Sequence, residues 1–519
     1  VRPMAVAAAP AAAPAGWRKP RLTRGTLFVL GAMNLIDCIN VNLLTPYVDR
    51  MVSEFLGRPT DDAHVVQTVG LLIGLYSLCE VLFSPFWGFL ADRFGRRPIM
   101  LVGLGGSAVA PVLFGFAGSL PMAFFARGLD GFFCGNVGVT KTYLGEIVDK
   151  TNEARGFSFL AVCFSLGLFV GPVLGGQLVE PAKWAPGLFG DTIFDSHPYL
   201  LPNLTYACFA GISWCLGFFF LRETLPPPAR RPWRRRRPSS AAAPGGASLL
   251  AASAGGGASP ESAGSAGGVD RRVVMLLFAY CLLSGYYSAW TQNFALITSL
   301  PRSIDGFGLG PRQIGMITNA AGVGLLSTQL LFYPRATRRW GFLACFSLGC
   351  AVNLLVTLPF PLYGLLADPA VFGIYRFLPL SAMLFFGQSA AGFCFPTVFV
   401  WINRALEGKD KGTWNGWFNS LGALTRSFFP PAADALLSVG LRSGLQGGRY
   451  LPVFVNAVAL LTSWCLAAAA ARSPGGDSAR LPATSMPLPP PQRVDQRRDS
   501  CGADGAAGGG AVEDAGVGA

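Results

Sequence analysis

Twelve stretches of this chain are long and apolar enough to cross a lipid bilayer, and few charges interrupt them. They fall at about 26–48, 66–90, 98–118, 121–144, 156–180, 200–221, 272–298, 312–333, 341–365, 374–402, 413–438 and 450–471. A helix needs about 20 mostly apolar residues to span the hydrocarbon layer. Inside that layer every backbone N–H and C=O must bond within the protein, so such runs fold as helices. Only 13% of the 519 residues are charged and 51% are hydrophobic, with a mean hydropathy of +0.44. A soluble domain carries roughly a quarter charged residues, so this chain keeps most of its surface in lipid. The expectation is an all-α integral membrane protein of twelve helices in two six-helix bundles.

The longest interruption follows the sixth stretch. Residues 223–271 are rich in Ala, Gly, Ser and Pro and contain "RRPWRRRRP". Such a composition cannot bury a core, so it reads as a disordered basic linker. It divides an N-terminal bundle (26–222) from a C-terminal one (272–471). Residues 1–25 and 472–519 read as disordered tails. The first is basic and rich in Ala and Pro; a plastid-type targeting segment is the alternative for it.

The formal charge is +13. The arginines cluster in short turns beside apolar runs, which points to membrane orientation rather than to nucleic acid. Arg18, Lys19, Arg21 and Arg24 precede the first stretch. Arg93, Arg96 and Arg97 follow the second, and Lys150 and Arg155 lie between the fourth and fifth. The linker, then Arg335, Arg338 and Arg339, and then Arg404, Lys409 and Lys411 complete the set. All fall on one side of a twelve-helix count. The positive-inside rule places that side, both tails and the linker in the cytosol; the membrane expected is the plasma or vacuolar one, with a plastid membrane as the alternative.

Eleven of the twelve cysteines lie in or beside apolar runs, and no CxxC pair occurs. They read as small hydrophobes. The two histidines, His64 and His197, are isolated, so no metal site and no cofactor is expected. The expected partners are a small-molecule substrate, H+ and the bilayer around a monomer.

The turn "WGFLADRFGRRP" between the second and third stretches carries the most information. Gly88 and Gly95 are expected to let the chain bend. Arg93, Arg96 and Arg97 hold the turn at the interface, and Asp92 invites a breakable ionic network. A basic turn, "YPRATRRWG", occupies the same place in the second half. Arg127, Gly131 and Gly135 share one face of the fourth helix. An arginine facing lipid costs about 2.5–3.5 kcal/mol or more, so Arg127 should face a cavity or pair with Asp130. In the fifth helix, Gly167, Gly171 and Gly175 make a flat stripe for close helix approach, and Pro172 removes one backbone hydrogen bond.

The spacing Gly-x-x-x-Asp-Arg-x-Gly-Arg-Arg (Gly88, Asp92, Arg93, Gly95, Arg96, Arg97) resembles the most diagnostic motif of the major facilitator superfamily. The resemblance implies a cytosolic gate that stabilises one of two alternating conformations. "RGLDGFFCGN" resembles the family's second motif, whose arginine is implicated in proton transfer. Gly167, Gly171, Pro172, Gly175 and Gly176 match Gly-x-x-x-Gly-Pro-x-x-Gly-Gly, typical of proton-linked antiporters. With "HPYLLPNL", "GLGPRQIG" and "KGTWNGWFNSLGALTRSFFPP", the chain looks like the zinc-induced-facilitator-like and drug–proton antiporter group over about residues 25–470. It departs from the plant members in lacking their Cys-x-Gly-Cys and His-x-His elements. That departure puts direct zinc handling in doubt.

Ionisable residues within apolar helices mark function by default. Asp37 lies in the first stretch, about ten residues from either end, and matches with Asn42 and Pro46 a first-helix pattern of drug–proton antiporters. Glu80, Arg426 and Asp434 lie in the second and eleventh. The expected coupling set is Asp37, Glu80, Arg127, Asp130 and Arg426, with Arg127 as counter-charge to Asp37. The aromatic side chains of Tyr286, Tyr287, Trp290 and Phe294 either line a cavity or pack.

These residues point to a secondary transporter that moves a small organic solute by alternating access, as proton-coupled antiport. A facilitator or symporter of the same fold, for sugars or metal chelates, is the alternative. A transporter-like receptor or scaffold is another. No GxxxxGK[ST] loop and no nucleophile-elbow, metal or dinucleotide motif is present, so no enzyme is expected.

Overall fold

The computed structural model describes residues 20, 23–134, 137–148, 153–225, 271–304, 306–366, 375, 377–405, 411–443 and 447–472. Most of both tails, linker residues 226–270, Gly135, Lys150 and Lys409 lie outside them. Among the described residues all regular structure is helical. A helix covers each of the twelve apolar stretches.

In the first half these are α1 (Arg24–Leu43), α2 (Ala63–Phe94), α3 (Arg96–Gly115), α4 (described as Leu120–Cys134 and Val137–Ile147), α5 (Glu153–Leu178) and α6 (Leu200–Phe220). The second half opens with α7 (Arg271–Ser299). Pro311–Ser327 then continues through a π-helical turn, Thr328–Phe332, into Tyr333–Thr357. Gly341, at φ 80° and ψ 170°, breaks that run into α8 (311–340) and α9 (342–357). α10 (Phe377–Ala405), α11 (Lys411–Arg442) and α12 (Leu451–Arg472) follow.

Local chemistry sets the helix ends. The Thr23 hydroxyl accepts from the Thr26 N–H at 3.1 Å to open α1, and Asp62 accepts from the His64 N–H at 2.7 Å to open α2. Each satisfies one of the free donors of a helix start. α1 stops at Leu43, shortly before Pro46, and a short helix, Val48–Leu56, continues beyond the bend. Asp37 therefore sits six residues from the end of α1 rather than midway along a longer helix.

The turn between α2 and α3 is the single residue Gly95, at φ 109° and ψ 158°. Only glycine adopts that region without strain. Gly88 is not part of the bend: it lies within α2, where an added Cβ would meet nothing within 4 Å. Gly341 makes the matching turn in the second half, so Arg335, Arg338 and Arg339 belong to the last turns of α8 rather than to a loop.

Glu223, Thr224 and Leu225, expected in the linker, are ordered instead. The Glu223 carboxylate accepts from the Arg96 and Arg97 backbone N–H groups at 2.9 and 3.2 Å, capping α3. The acid supplies the cap that Gly95 cannot.

Residues up to Ser478 form one unit; a second, Ala479–Ala519, lies outside the described residues. Within the first half α1 packs on α5 and α6, α2 on α4, and α3 on α4 and α6. Within the second, α7 packs on α11 and α12, and α10 on α8 and α9. Between the halves, α2 lies along α11 and α5 along α8. The end of the molecule that carries the Gly95 and Gly341 turns is called the basic end below, and the opposite one the far end. Asn203 of α6 is fully buried, its amide donating to Tyr47 Oη and the Tyr199 carbonyl at 3.0 and 2.8 Å.

Candidate functional site

The interface between the halves is built on glycines. An added Cβ on Gly74 of α2 would lie 2.6 Å from the Ser427 carbonyl oxygen of α11. One on Gly176 of α5 would lie 2.6 Å from the Pro311 carbonyl oxygen and 3.0 Å from Gly315 Cα. Polar side chains bridge the same seams. Gln67 donates to Ser438 Oγ at 2.9 Å, Gln177 to the Arg312 carbonyl at 3.2 Å, and Ser165 to Gln329 Oε1 at 3.0 Å. Gln329 lies in the π-helical turn of α8, a deformation often found at functional positions.

At mid-depth the seam carries charge. Glu80 of α2 and Arg426 of α11 face each other, Oε1 to Nη2 3.7 Å, and Arg426 Nη1 donates to Ser284 Oγ of α7 at 3.3 Å. Their side chains are 21% and 35% exposed. Lys141 of α4 is exposed too, yet Arg426, Glu80, Cys134 and Asp37 all act on it electrostatically. Side chains from α2, α4 and α11 that are both solvated and mutually interacting border a space between the halves that water reaches. Lys141 makes no ion pair within 4 Å among the described residues.

Asp37 of α1 is half-buried on the edge of this cluster. It lines a small cavity with Met33, Gly103, Ser107, Phe133, Cys134 and Thr140. Asp130, Glu80 and Lys141 are the charged groups that act on it. The cation that acts on Asp37 is thus Lys141, and Arg127 is not among the charged groups that do. Arg127 is buried against Asp130, Nη1 to Oδ2 2.8 Å, with its guanidinium 4.1 Å from the Tyr76 ring centroid. Asn40 donates to the other Asp130 oxygen at 2.7 Å. Arg127 Nε finds no hydrogen-bond partner, yet a desolvated pair stays together because breaking it strands a buried charge. The sequence missed Lys141, although an ammonium inside the fourth apolar stretch was a visible signal.

The basic turn holds a second network. Arg96, 9% exposed, meets Asp92 Oδ1 at 2.5 Å and Glu146 Oε1 of α4 at 3.0 Å. Thr224 donates to Glu146 Oε2 at 2.5 Å. Arg97 donates to the Phe218 carbonyl and lies over the Phe218 ring at 5.6 Å, while Arg93 lies 5.9 Å from the Phe94 ring. The turn is therefore tied to α4 and α6 by groups that its own sequence does not contain.

The glycine stripe of α5 faces α1. A Cβ on Gly167 would lie 2.5 Å from Cys38 Cβ, one on Gly171 2.9 Å from the Ile39 carbonyl oxygen, and one on Gly175 would run into the Leu43 carbonyl. Gly176 faces the other way, toward α8, and the Pro172 carbonyl oxygen would lie 2.5 Å from a Cβ on Gly315. The α7 aromatics pack: Tyr286, Trp290 and Phe294 are buried, and Tyr286 and Tyr287 bond the Asn353 amide at 2.5 and 2.6 Å.

Twelve long helices among the described residues, in two interlocked halves with ionisable groups between them, have the build of a membrane transporter. The sequence model of the Major Facilitator Superfamily matches residues 27–430, and the chain belongs to that superfamily. It is 29% identical over 485 residues to a "Major facilitator superfamily multidrug transporter", mfsB, of Aspergillus fumigatus, covering 80% of this chain and 79% of that one. It is 25% identical over 442 residues to "Protein ZINC INDUCED FACILITATOR-LIKE 1" of Arabidopsis thaliana, covering 83% and 88%. These relatives bear out the group suspected from the motifs. The solved structure of the human organic anion transporter MFSD10 (TETRAN) superposes with a TM-score of 0.57 at 20% identity, over 86% of this chain and 99% of that one.

Proposed function

We propose that the protein exchanges protons for a small organic solute by alternating access of the space between its two halves. The observation that carries this reading is the group Asp37, Glu80, Lys141 and Arg426 at mid-depth. Asp37 of α1, Glu80 of α2 and Arg426 of α11 all act on Lys141 of α4, and Glu80 faces Arg426 across the line along which the halves must part. Charge in a membrane interior is expensive and is kept for function. Asp37 has the place of a proton carrier: it is half-buried, and the Lys141 ammonium can take the role of its counter-charge when the proton leaves. The solute then meets a site whose net charge depends on that proton.

The glycine contacts of α5 with α1 support the same reading, because close backbone packing lets a half move as a rigid body. The multidrug name of the Aspergillus relative supports efflux-type exchange of organic solutes. The basic end, holding Arg96, Arg97 and the α8 arginines, faces the cytosol in this reading, with the protein acting as a monomer in the plasma or vacuolar membrane.

The test is a panel of radiolabelled organic solutes on vesicles reconstituted with the purified full chain. Uptake driven by an imposed pH gradient and abolished by a protonophore is expected. Counterflow that is indifferent to the gradient would make the protein a facilitator instead.

A further inference from the structure

Asp434 lies in α11, eight residues before its far end at Arg442. It is 0% exposed, and neither carboxyl oxygen has a hydrogen-bond partner. The side chain projects onto α2 of the opposite half, where Gly70 leaves room for it: a Cβ on Gly70 would lie 2.6 Å from Asp434 Oδ2. One turn toward the far end, Gln67 and Ser438 close the seam with their hydrogen bond. One turn the other way, Pro431 packs on Gly74. Among the described residues, no charged or titratable side chain of α2, α7, α12 or the 3-10 turn Gly448–Tyr450, the elements packed on α11, acts on the carboxyl, Arg449 and Tyr450 of that turn included.

A carboxylate without donor, cation or solvent is too costly to keep charged; such a group packs as the neutral acid. Asp434 does not sit inside one bundle, where it could stay neutral in every conformation. It sits on the α2–α11 seam, which must part when the far side of the transport path opens. Parting the seam solvates the carboxyl and frees it to ionise.

We propose that Asp434 is a second proton-binding site of the exchange, taking up a proton as the α2–α11 seam closes at the far end and releasing it as the seam opens. The site deepens the reading of proton-coupled exchange, and it is separate from Asp37, which serves the space at mid-depth. Closure and protonation are then one event: –COO⁻ + H⁺ gives –COOH, and no other bond changes. The seam favours closure in acid. While most molecules are closed, releasing one proton per opening raises the open fraction about tenfold per pH unit.

The experiment places a reporter cysteine at Gln67 in the full chain, with Cys208, Cys215 and Cys465, the exposed cysteines among the described residues, and Cys501 of the C-terminal tail replaced by serine. The chain is reconstituted without solute. Labelling by a membrane-impermeant maleimide added on the far side is followed from about pH 5.5 to pH 7.5, after correction for the reagent's own pH dependence on a fully exposed cysteine. The parent should label about tenfold faster per pH unit. Asp434→Asn should label at the slow, acid rate throughout, and Asp434→Glu should restore the pH dependence. The same slope in Asp434→Asn as in the parent, or no slope in the parent, would overturn the proposal. If Asp434→Asn does not fold, the parent and Asp434→Glu slopes still decide, since a different group must shift the midpoint. A seam that titrates while solute flux ignores the pH gradient sinks the exchange reading and leaves the proton site standing. pH-driven flux across a seam that does not titrate does the reverse.

Discussion

Glu80 of α2 reaches across to Arg426 of α11, Oε1 to Nη2 3.7 Å, and the pair joins the two halves at the depth where a solute would pass. The pair is part-solvated, so its worth to stability is small, about 0–1 kcal/mol. In the proposed cycle its worth to transport is larger, because it is one of the contacts the halves would make and break. Glu80→Gln should shift the melting temperature by no more than a few degrees and lower solute exchange about tenfold or more. Fluorescence-detected melting and vesicle flux on the same preparation check this. Normal flux with a lowered melting temperature would make the pair structural.

Asp37→Asn should abolish pH-driven accumulation and leave solute–solute exchange intact. The amide keeps the shape of the carboxyl beside Ser107 and Thr140 but cannot carry a proton. Lys141→Gln should weaken the same coupling, because Lys141 is the cation that acts on Asp37. Accumulation against a gradient in Asp37→Asn vesicles, with the usual pH dependence, would reassign Asp37 to substrate binding or packing.

The basic turn predicts a ranking. Asp92 is 72% exposed and Glu146 26%, though both pair with Arg96. Removing a solvated partner costs about 0–1 kcal/mol. Removing the more buried one takes the acceptor from Nε and Nη2 of the nearly buried Arg96, at about 1–3 kcal/mol. Glu146→Gln should therefore destabilise the protein more than Asp92→Asn. Asp92→Asn is expected to act on the conformational balance instead, and should change cysteine accessibility from the two sides. Equal melting points for the two variants would contradict the ranking.

Two glycines of the motifs should behave differently. Gly175→Ala drives a methyl into the Leu43 carbonyl of α1, whereas Gly88→Ala meets nothing within 4 Å in this conformation. Gly175→Ala should lower both melting temperature and flux. Gly88→Ala should keep the melting temperature, so any flux it loses belongs to another conformation of the cycle. Gly171→Leu, which would press on Asn42 and Ile39, should abolish flux while membrane insertion persists. Wild-type turnover in Gly171→Leu would separate the stripe from the transport movement.

The sequence by itself determined the number of helices, because a bilayer forces each apolar run of sufficient length to satisfy its own backbone. It also determined the turn at Gly95, where φ 109° admits only glycine readily, and the matching turn at Gly341. Hydropathy could not tell which face of a helix meets which neighbour. Lipid is as apolar as a protein core, so Phe28, Leu71 and Phe125 on the outer surface look like Leu30, Leu72 and Phe114 inside. The partners of the charged residues were hidden for that reason. Arg127 turned to Asp130, three residues away, but Arg96 found Glu146, 50 residues on, and Asp434 came to rest against Gly70 of the other half. Only the packing of the two halves decided those meetings, because each depends on the rotation and depth of two helices at once.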